Sequence, residues 1–347
     1  MFHRLGTLAD DTGRMIPTDA PRVSSCIEPT GMLHAIVVLS NPVGYQARYT
    51  LMAKALAHLA TLRHMTVWLV ELAVGHQPHM FTVPGNRHHL QLRAKSVMWH
   101  KENMMNLGVE HLTREVPDWK YMAWIDGDIE FNNPDIARAT IQKLDVYPIV
   151  QMFQTVMNKG PDGAIHDTHY GFAYQYSRNN FRHPGKLHYA FWHPGFAWAY
   201  TRDAWRKMGR FIDRGICGAG DHHMALALIN MAHLSLPKDV PREYRVMVMD
   251  WQDRVWKQFH GMIGYVNGTI IHGWHGRFTD RRYQQRWEII IQTKFNPWTD
   301  LVVNEQGVFE WDLVDSQNHP DPRLPLLMIK YFEERNEDTI ECAQVQQ

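Results

Sequence analysis

Cysteine is scarce in this chain: three residues in 347, at Cys26, Cys217 and Cys342. An odd number at such wide spacing argues against a disulfide framework or a zinc ribbon and makes a reducing compartment the expectation. Net charge is missing as well, because Lys+Arg and Asp+Glu balance at 36 each. The chain as a whole therefore has no field to gather nucleic acid or an anionic membrane, and any polyanion site must be a local patch. No apolar run approaches the ~18 residues of a membrane span. The N-terminus lacks the basic-then-apolar order of an export signal, so the expectation is a cytoplasmic protein without a membrane segment. Internal repeats and low-complexity tracts are also absent. What is present, 45% apolar and 21% charged residues, describes a soluble globular chain with a substantial core, in one large domain or two. Histidine, tryptophan and methionine are abundant, at 22, 13 and 19.

The densest chemistry lies at Lys120–Phe131. Tyr121 to Ile125 is an unbroken apolar run of the kind found in strands buried on both faces, and it ends in Asp126-Gly127-Asp128. Two unpaired carboxylates are costly to bury there. A hard divalent cation such as Mg²⁺ or Mn²⁺ would neutralise them, at the carboxyl end of a strand where open α/β sheets bind ligands. Two acids in a turn are also ordinary, so the pattern alone does not decide.

Residues 1–31 are polar and turn-rich, an expected extended arm. Leu33–Ser40 predicts a first buried strand, and Asn41-Pro42-Val43-Gly44 breaks it before a helix from about Gln46 to Leu62. Arg48 lies near that helix's N-terminus, where it either assists an anion or snorkels. A second strand is expected over Thr66–Leu72 and a second helix over Ser96–Leu112, with Lys101 on its inward stripe. Strand, helix, strand, helix, strand predicts a mostly parallel sheet.

The Asn133-Pro134 pair starts a helix to Leu144, and Pro148–Val156 is a further expected strand. Residues 160–192 are crowded with aromatics and histidine, with Arg178, Arg182 and Lys186 among them; rings between cations stack on bases or sugars, or simply pack a loop. This stretch is the expected acceptor surface. After a strand at Gly195–Thr201, Arg202, Arg206, Arg210 and Arg214 recur every fourth residue, as a solvated helix face or a phosphate-tracking one. Gly215–Gly220 leads into Asp221-His222-His223, where Asp221 is either a helix N-cap or a general base facing a cleft. Ile270 and Ile271 end a strand at His272-Gly273-Trp274-His275-Gly276-Arg277, and two histidines at a strand end can ligate a metal or serve structure alone.

Four blocks now stand in order: Lys101–Asn106, Ala123–Phe131, Gly218–Asp221 and His272–Gly276. With them the chain resembles GT-A glycosyltransferases, more narrowly the phage and bacterial enzymes related to glucosyltransferases of hydroxymethylated DNA pyrimidines such as base J, over about Leu33–Trp311. The resemblance implies a GT-A, Rossmann-like α/β fold with a mixed, mostly parallel sheet flanked by helices. Its nucleotide-sugar half would cover residues 32–150, its acceptor half 151–311, and a helical tail 312–347. It implies a nucleotide-sugar donor, a UDP-hexose, with Mn²⁺ or Mg²⁺ as cofactor. Asp126 would touch the metal or donor ribose, Asp128 and His275 would ligate the metal, and Asn41, Arg48 and Lys101 would hold the diphosphate. Trp198 and Arg277 join the donor-binding candidates, and Asp221 would be the base. His222-His223 stands where relatives often carry a further acid.

The implied activity is transfer of a hexose to an acceptor hydroxyl, with hydroxymethylpyrimidine in DNA as the preferred acceptor. A glycan, lipid or protein acceptor on the same fold is the alternative. A non-catalytic sugar- or nucleotide-binding module belongs to another class, and a phosphatase or nuclease fits less well because two-metal sites need more carboxylates.

Overall fold

The computed structural model describes residues 31–179, 192–313 and 320–339. The expected N-terminal arm up to residue 30, Cys26, Cys342 and the part of the aromatic-rich stretch from 180 to 191 lie outside the described residues.

The chain alternates as its apolar runs predict. β1 (Leu33–Ser40), α1 (Gln46–Leu59), β2 (Met65–Val74), β3 (His89–Ala94), α2 (Lys101–Glu115) and β4 (Tyr121–Ile125) form the first half. β5 (Ile129–Phe131), α3 (Ile136–Leu144), β6 (Ile149–Gln151), β7 (Thr155–Lys159), β8 (Ile165–Tyr170) and α4 (Phe172–Ser177) follow. After β9 (Ala197–Thr201) come α5 (Arg202–Met208), α6 (Gly220–Leu228), α7 (Arg242–Phe259), β10 (Ile263–Tyr265) and β11 (Thr269–His272). The chain then runs through α8 (Arg286–Gln292), the β12 (Leu301–Val303) and β13 (Phe309–Trp311) hairpin, and α9 (Leu324–Glu333).

The main sheet has the order β10-β6-β9-β4-β1-β2-β3. Its pairs are parallel except where β9 runs against β4 and β6. The fold is thus mixed α/β, a mostly parallel sheet flanked by helices. Both faces are covered, which is why β1 and β4 read as continuous apolar runs. Leu33, Ala35, Val37 and Leu39 of β1 enter the core shared with α1 and α3, while Ile36 enters the one shared with α2, as the two-residue strand period requires. Among the described residues no helix is long and apolar enough to cross a membrane.

Several boundaries differ from expectation for local reasons. Pro148–Val156 divides into β6 and β7, which belong to different sheets, because Gln154 and Thr155 both donate their N–H to the Gly268 carbonyl and leave the main ladder. The second helix begins at Lys101 rather than Ser96. The preceding residues are taken by tertiary bonds: Ser96 Oγ accepts from Trp311 N, and Trp99 N donates to the Ile216 carbonyl. The arginine stripe dissolves. α5 stops at Met208 with Gly209 at φ +91°, so Arg210 and Arg214 leave the helix; Arg210 pairs with Glu110, and Arg214 donates to the Pro297 carbonyl.

Candidate active site

The carboxyl edge of the sheet gathers the chemistry. β4 ends at Ile125, and the Asp126 N–H donates to the Phe196 carbonyl just before β9 begins. β5 then turns into a second sheet ordered β5-β11-β7-β8. Its antiparallel register sets His272 opposite Ile129, and the Gly273 N–H donates to the Asp128 carbonyl. Asp128 and His272, distant in the chain, are thereby brought side by side.

Asp128, His272 and His275 form a compact donor cluster. Asp128 Oδ2 lies 3.2 Å from His275 Nε2 and 3.7 Å from His272 Nε2, and the two Nε2 atoms are 3.3 Å apart. Two ligands each ~2.1 Å from one metal stand ~3.0–3.5 Å apart. Asp128 Oδ1 is buried without a hydrogen-bond partner, a polar atom that a cation would satisfy. His272 Nδ1 meets Asn158 Oδ1 at 2.9 Å. Donating that proton leaves the Nε2 lone pair facing the cluster, the arrangement that orients a metal-ligating imidazole. Burial pushes His272 down to about 4, so the ring is neutral. Burial also opposes ionisation of Asp128, but the facing imidazoles outweigh it and hold that carboxyl well below its usual range. The three residues fit a divalent metal, and mixed imidazole and carboxylate donors suit Mn²⁺ better than Mg²⁺.

Asp126 faces elsewhere. Two residues along the turn from Asp128, it binds Lys101 Nζ at 2.5 Å, and that ammonium lies 4.6 Å over the Trp124 ring. Burial raises Asp126 to about 6 against the pull of Lys101. Burial alone would discharge Lys101, yet Asp126 and then Asp221 keep it more firmly protonated than an ordinary lysine.

Asp221 joins the same cavity wall. It is not an N-cap: the cap is Ala219 in a left-handed conformation, and Asp221 lies inside the first turn of α6, where its Oδ1 accepts from the His222 N–H. Its Oδ2 packs so close to Gly195 that a Cβ there would come within 2.4 Å. His193, stacked on Phe196 at 3.8 Å, lies beside it and accepts from the Gly195 N–H through Nδ1. His223 is no alternative base, because its ring is fully buried between Ser235 Oγ and Tyr244 OH.

A third group comes from the C-terminal region. Glu337 accepts from Arg48 Nε at 2.5 Å, from Arg48 Nη2 at 2.6 Å and from Arg335 Nε at 2.6 Å, and its Oε2 is 3.6 Å from His275 Nδ1. Burial would raise Glu337, but Arg48 and Arg335 hold it well below the usual carboxylate range.

One cavity of about 180 Å³ is bordered by all three groups: Arg48, Lys101, Asp126, Asp128, Asp221 and His275 of the expected residues contribute to its wall, together with His193, His272, Arg335 and Glu337. Three expected donor-binding residues fall off it. Trp198 is core, 2% exposed, with its indole N–H donating to the Pro194 carbonyl. β9 alternates, and the face that carries Trp198 points into the α2-side core. Asn41 closes the β1–α1 turn, its amide bonding both the N–H and the carbonyl of Tyr45. Arg277 is exposed and begins the turn beyond Gly276. Of the residues not singled out from sequence, Arg335 and Glu337 carried no local signal, whereas His193 directly follows the histidine-rich stretch 160–192.

No family model matches the chain, and no curated protein matches it. Among solved structures it is similar to a Drosophila beta-1,4-galactosyltransferase 7 mutant with manganese, UDP-Gal and xylobiose, at 12% identity and TM-score 0.36, covering 82% of this chain and 95% of that one. A mannosyltransferase from Pyrobaculum calidifontis with GDP-Man and Mn²⁺ is similar at 13% identity and TM-score 0.38, covering 88% and 71%. A glucosyl-3-phosphoglycerate synthase from Mycobacterium tuberculosis with Mn²⁺, UDP and phosphoglyceric acid is similar at 11% identity and TM-score 0.35, covering 86% and 92%. Overlaps this loose transfer no activity to the chain.

Proposed function

We propose that the protein is a metal-dependent glycosyltransferase that moves a hexose from a nucleotide sugar to an acceptor hydroxyl. One observation carries the reading: Asp128, His272 and His275 form a metal-type cluster in a cavity whose wall also carries Arg48, Arg335, Lys101 and Asp221. A divalent cation held by the cluster would supply Lewis-acid stabilisation of charge on a departing diphosphate. Arg48 and Arg335 bind phosphate oxygens, and their fixed charge needs no reorganisation as negative charge grows. Lys101, held by Asp126, keeps its ammonium directed at the same edge.

In an inverting reaction Asp221 takes the proton from the acceptor hydroxyl as that oxygen bonds the anomeric carbon and the bond from that carbon to the diphosphate oxygen breaks. The carboxylate has room to do so only because residue 195 is glycine. UDP-hexose is the donor class we favour, and hydroxymethylpyrimidine in DNA the acceptor. The DNA acceptor rests on motif resemblance alone, since the expected arginine stripe has dissolved; a glycan, lipid or protein hydroxyl is the alternative.

The test pairs binding with transfer. With Mn²⁺ present, nucleoside diphosphates and nucleotide sugars should raise the melting temperature by mass action, and labelled sugar should appear on hydroxymethylated DNA or on glycan acceptors. Asp221→Asn should keep donor affinity and lose transfer by ~10²–10⁴-fold. Absence of any nucleotide-dependent shift with Mn²⁺ would refute the donor site, and normal transfer by the Asp221→Asn variant would leave that residue structural.

A further inference from the structure

One anion position of the cavity wall and the start of α1 hold carboxylates of the chain's own C-terminal region. Glu337 lies between Arg48 and Arg335. Its neighbour Asp338 caps α1, with Oδ1 accepting from the Ala47 N–H at 2.7 Å and Oδ2 from the Gln46 N–H at 3.0 Å. A helix N-terminus flanked by two guanidiniums is what a diphosphate seeks, and here it is filled internally. Two guanidiniums share the one Glu337 carboxylate. The site is also small: about 180 Å³, below the ~300–1,000 Å³ usual for ligand pockets.

The segment is attached by polar contacts. The Asn336 N–H donates to Tyr45 OH at 3.1 Å, and the Thr339 carbonyl accepts from Trp274 Nε1 at 3.4 Å. Glu337 Cα lies 2.9 Å from where a Cβ on Gly276 would be, and Gly276 has φ +85°. Residues 336–339 are Asn, Glu, Asp and Thr, so the segment itself anchors no large apolar side chain. A ligand that replaces their anionic contacts can displace them at low cost.

We propose that residues 336–339 are a carboxylate strap that occupies the diphosphate position of the site and that a nucleoside diphosphate displaces. The inference deepens the glycosyltransferase reading and rests on it. The empty-handed enzyme is self-capped: Glu337 and Asp338 satisfy Arg48, Arg335 and the start of α1 until a diphosphate with its metal takes their place. The strap then leaves His275, which Glu337 touches from the side away from Asp128, to the incoming ligand.

Hydrogen–deuterium exchange on the intact chain tests this, with Mn²⁺ and inorganic pyrophosphate as the probe. Amides of residues 336–339 should exchange faster when pyrophosphate is bound; unchanged or slowed exchange under saturating binding overturns the strap. Independently, the double variant Glu337→Gln, Asp338→Asn should bind Mn²⁺–pyrophosphate about tenfold tighter, because the competing occupant is weakened; equal or weaker binding overturns the proposal. If pyrophosphate binds neither chain, no anion competes for the position and the strap falls. If pyrophosphate tightens on the variant but no nucleoside diphosphate binds either chain, displacement by a nucleoside diphosphate is overturned together with the nucleotide-sugar reading; if nucleoside diphosphates bind both chains equally and residues 336–339 keep their exchange rates, the strap alone falls.

Discussion

Glu102 offers the sharpest physical test of the region behind the site. It is 4% exposed at the second position of α2, next to Lys101, and its carboxylate presses on Gly220 so closely that a Cβ there would lie 2.5 Å from Oε1. Burial is the main cause that raises its carboxyl from 4.5 to about 8; Lys101 pulls against this and Asp221 adds to it. The folded chain thus keeps this proton to higher pH than the unfolded chain does. Between 4.5 and about 8 the folded state binds more protons, so stability from this group is full below the lower value and is lost as pH rises through the upper one. At about 1.4 kcal/mol per pH unit the loss reaches at most ~5 kcal/mol.

Glu102→Gln removes the titration while keeping shape. Urea unfolding of both chains from pH 5 to pH 9 should show the variant gaining on the wild type, with the difference moving by at least ~2 kcal/mol in the variant's favour. Groups distant from Glu102 titrate alike in both chains and cancel in that difference. Parallel curves, with a pH-independent difference, would refute the claim that burial keeps Glu102 protonated.

Two further outcomes are expected. Asp128→Ala should abolish Mn²⁺ binding in calorimetric titration with the fold intact by circular dichroism, because it removes the only carboxylate from the Asp128, His272 and His275 cluster; retained stoichiometric Mn²⁺ binding would disprove the metal centre. Trp198→Phe should cost roughly 1–3 kcal/mol in denaturant unfolding, through a lost bond to the Pro194 carbonyl and a small cavity. Nucleotide affinity should be unchanged, and a large loss of affinity would return Trp198 to the donor site.

The legible parts of the molecule were those written locally. A fully apolar strand followed at once by two carboxylates predicts both a central strand and a ligand edge, and β4 with Asp126 and Asp128 is built that way. Glycine spacing around Asp221 and His272–Gly276 marked where backbone comes close. The arginine period from Arg202 to Arg214 misled because periodicity assumes a continuous helix, and Gly209 ends this one after seven residues. Trp198 misled because an aromatic at a sheet edge and one at a core position look alike until strand register decides its face.

The C-terminal contribution had no local signal at all. Glu337 meets Arg48 across 289 residues of chain, and a charged tail with low hydrophobicity resembles a solvated one until its partners are known. Yet burial of Glu337 is intelligible once the site exists. Arg335 is buried and Arg48 partly so, and a buried guanidinium without an anion would be strongly destabilising. An internal carboxylate makes the apo state stable without neutralising the site permanently, because a carboxylate offers one negative charge where a diphosphate with its metal offers a larger, better-matched array of oxygens. Charge at this edge therefore requires an anionic partner in the folded chain, and Glu337 supplies it; whether a ligand displaces it is what the exchange experiment reads.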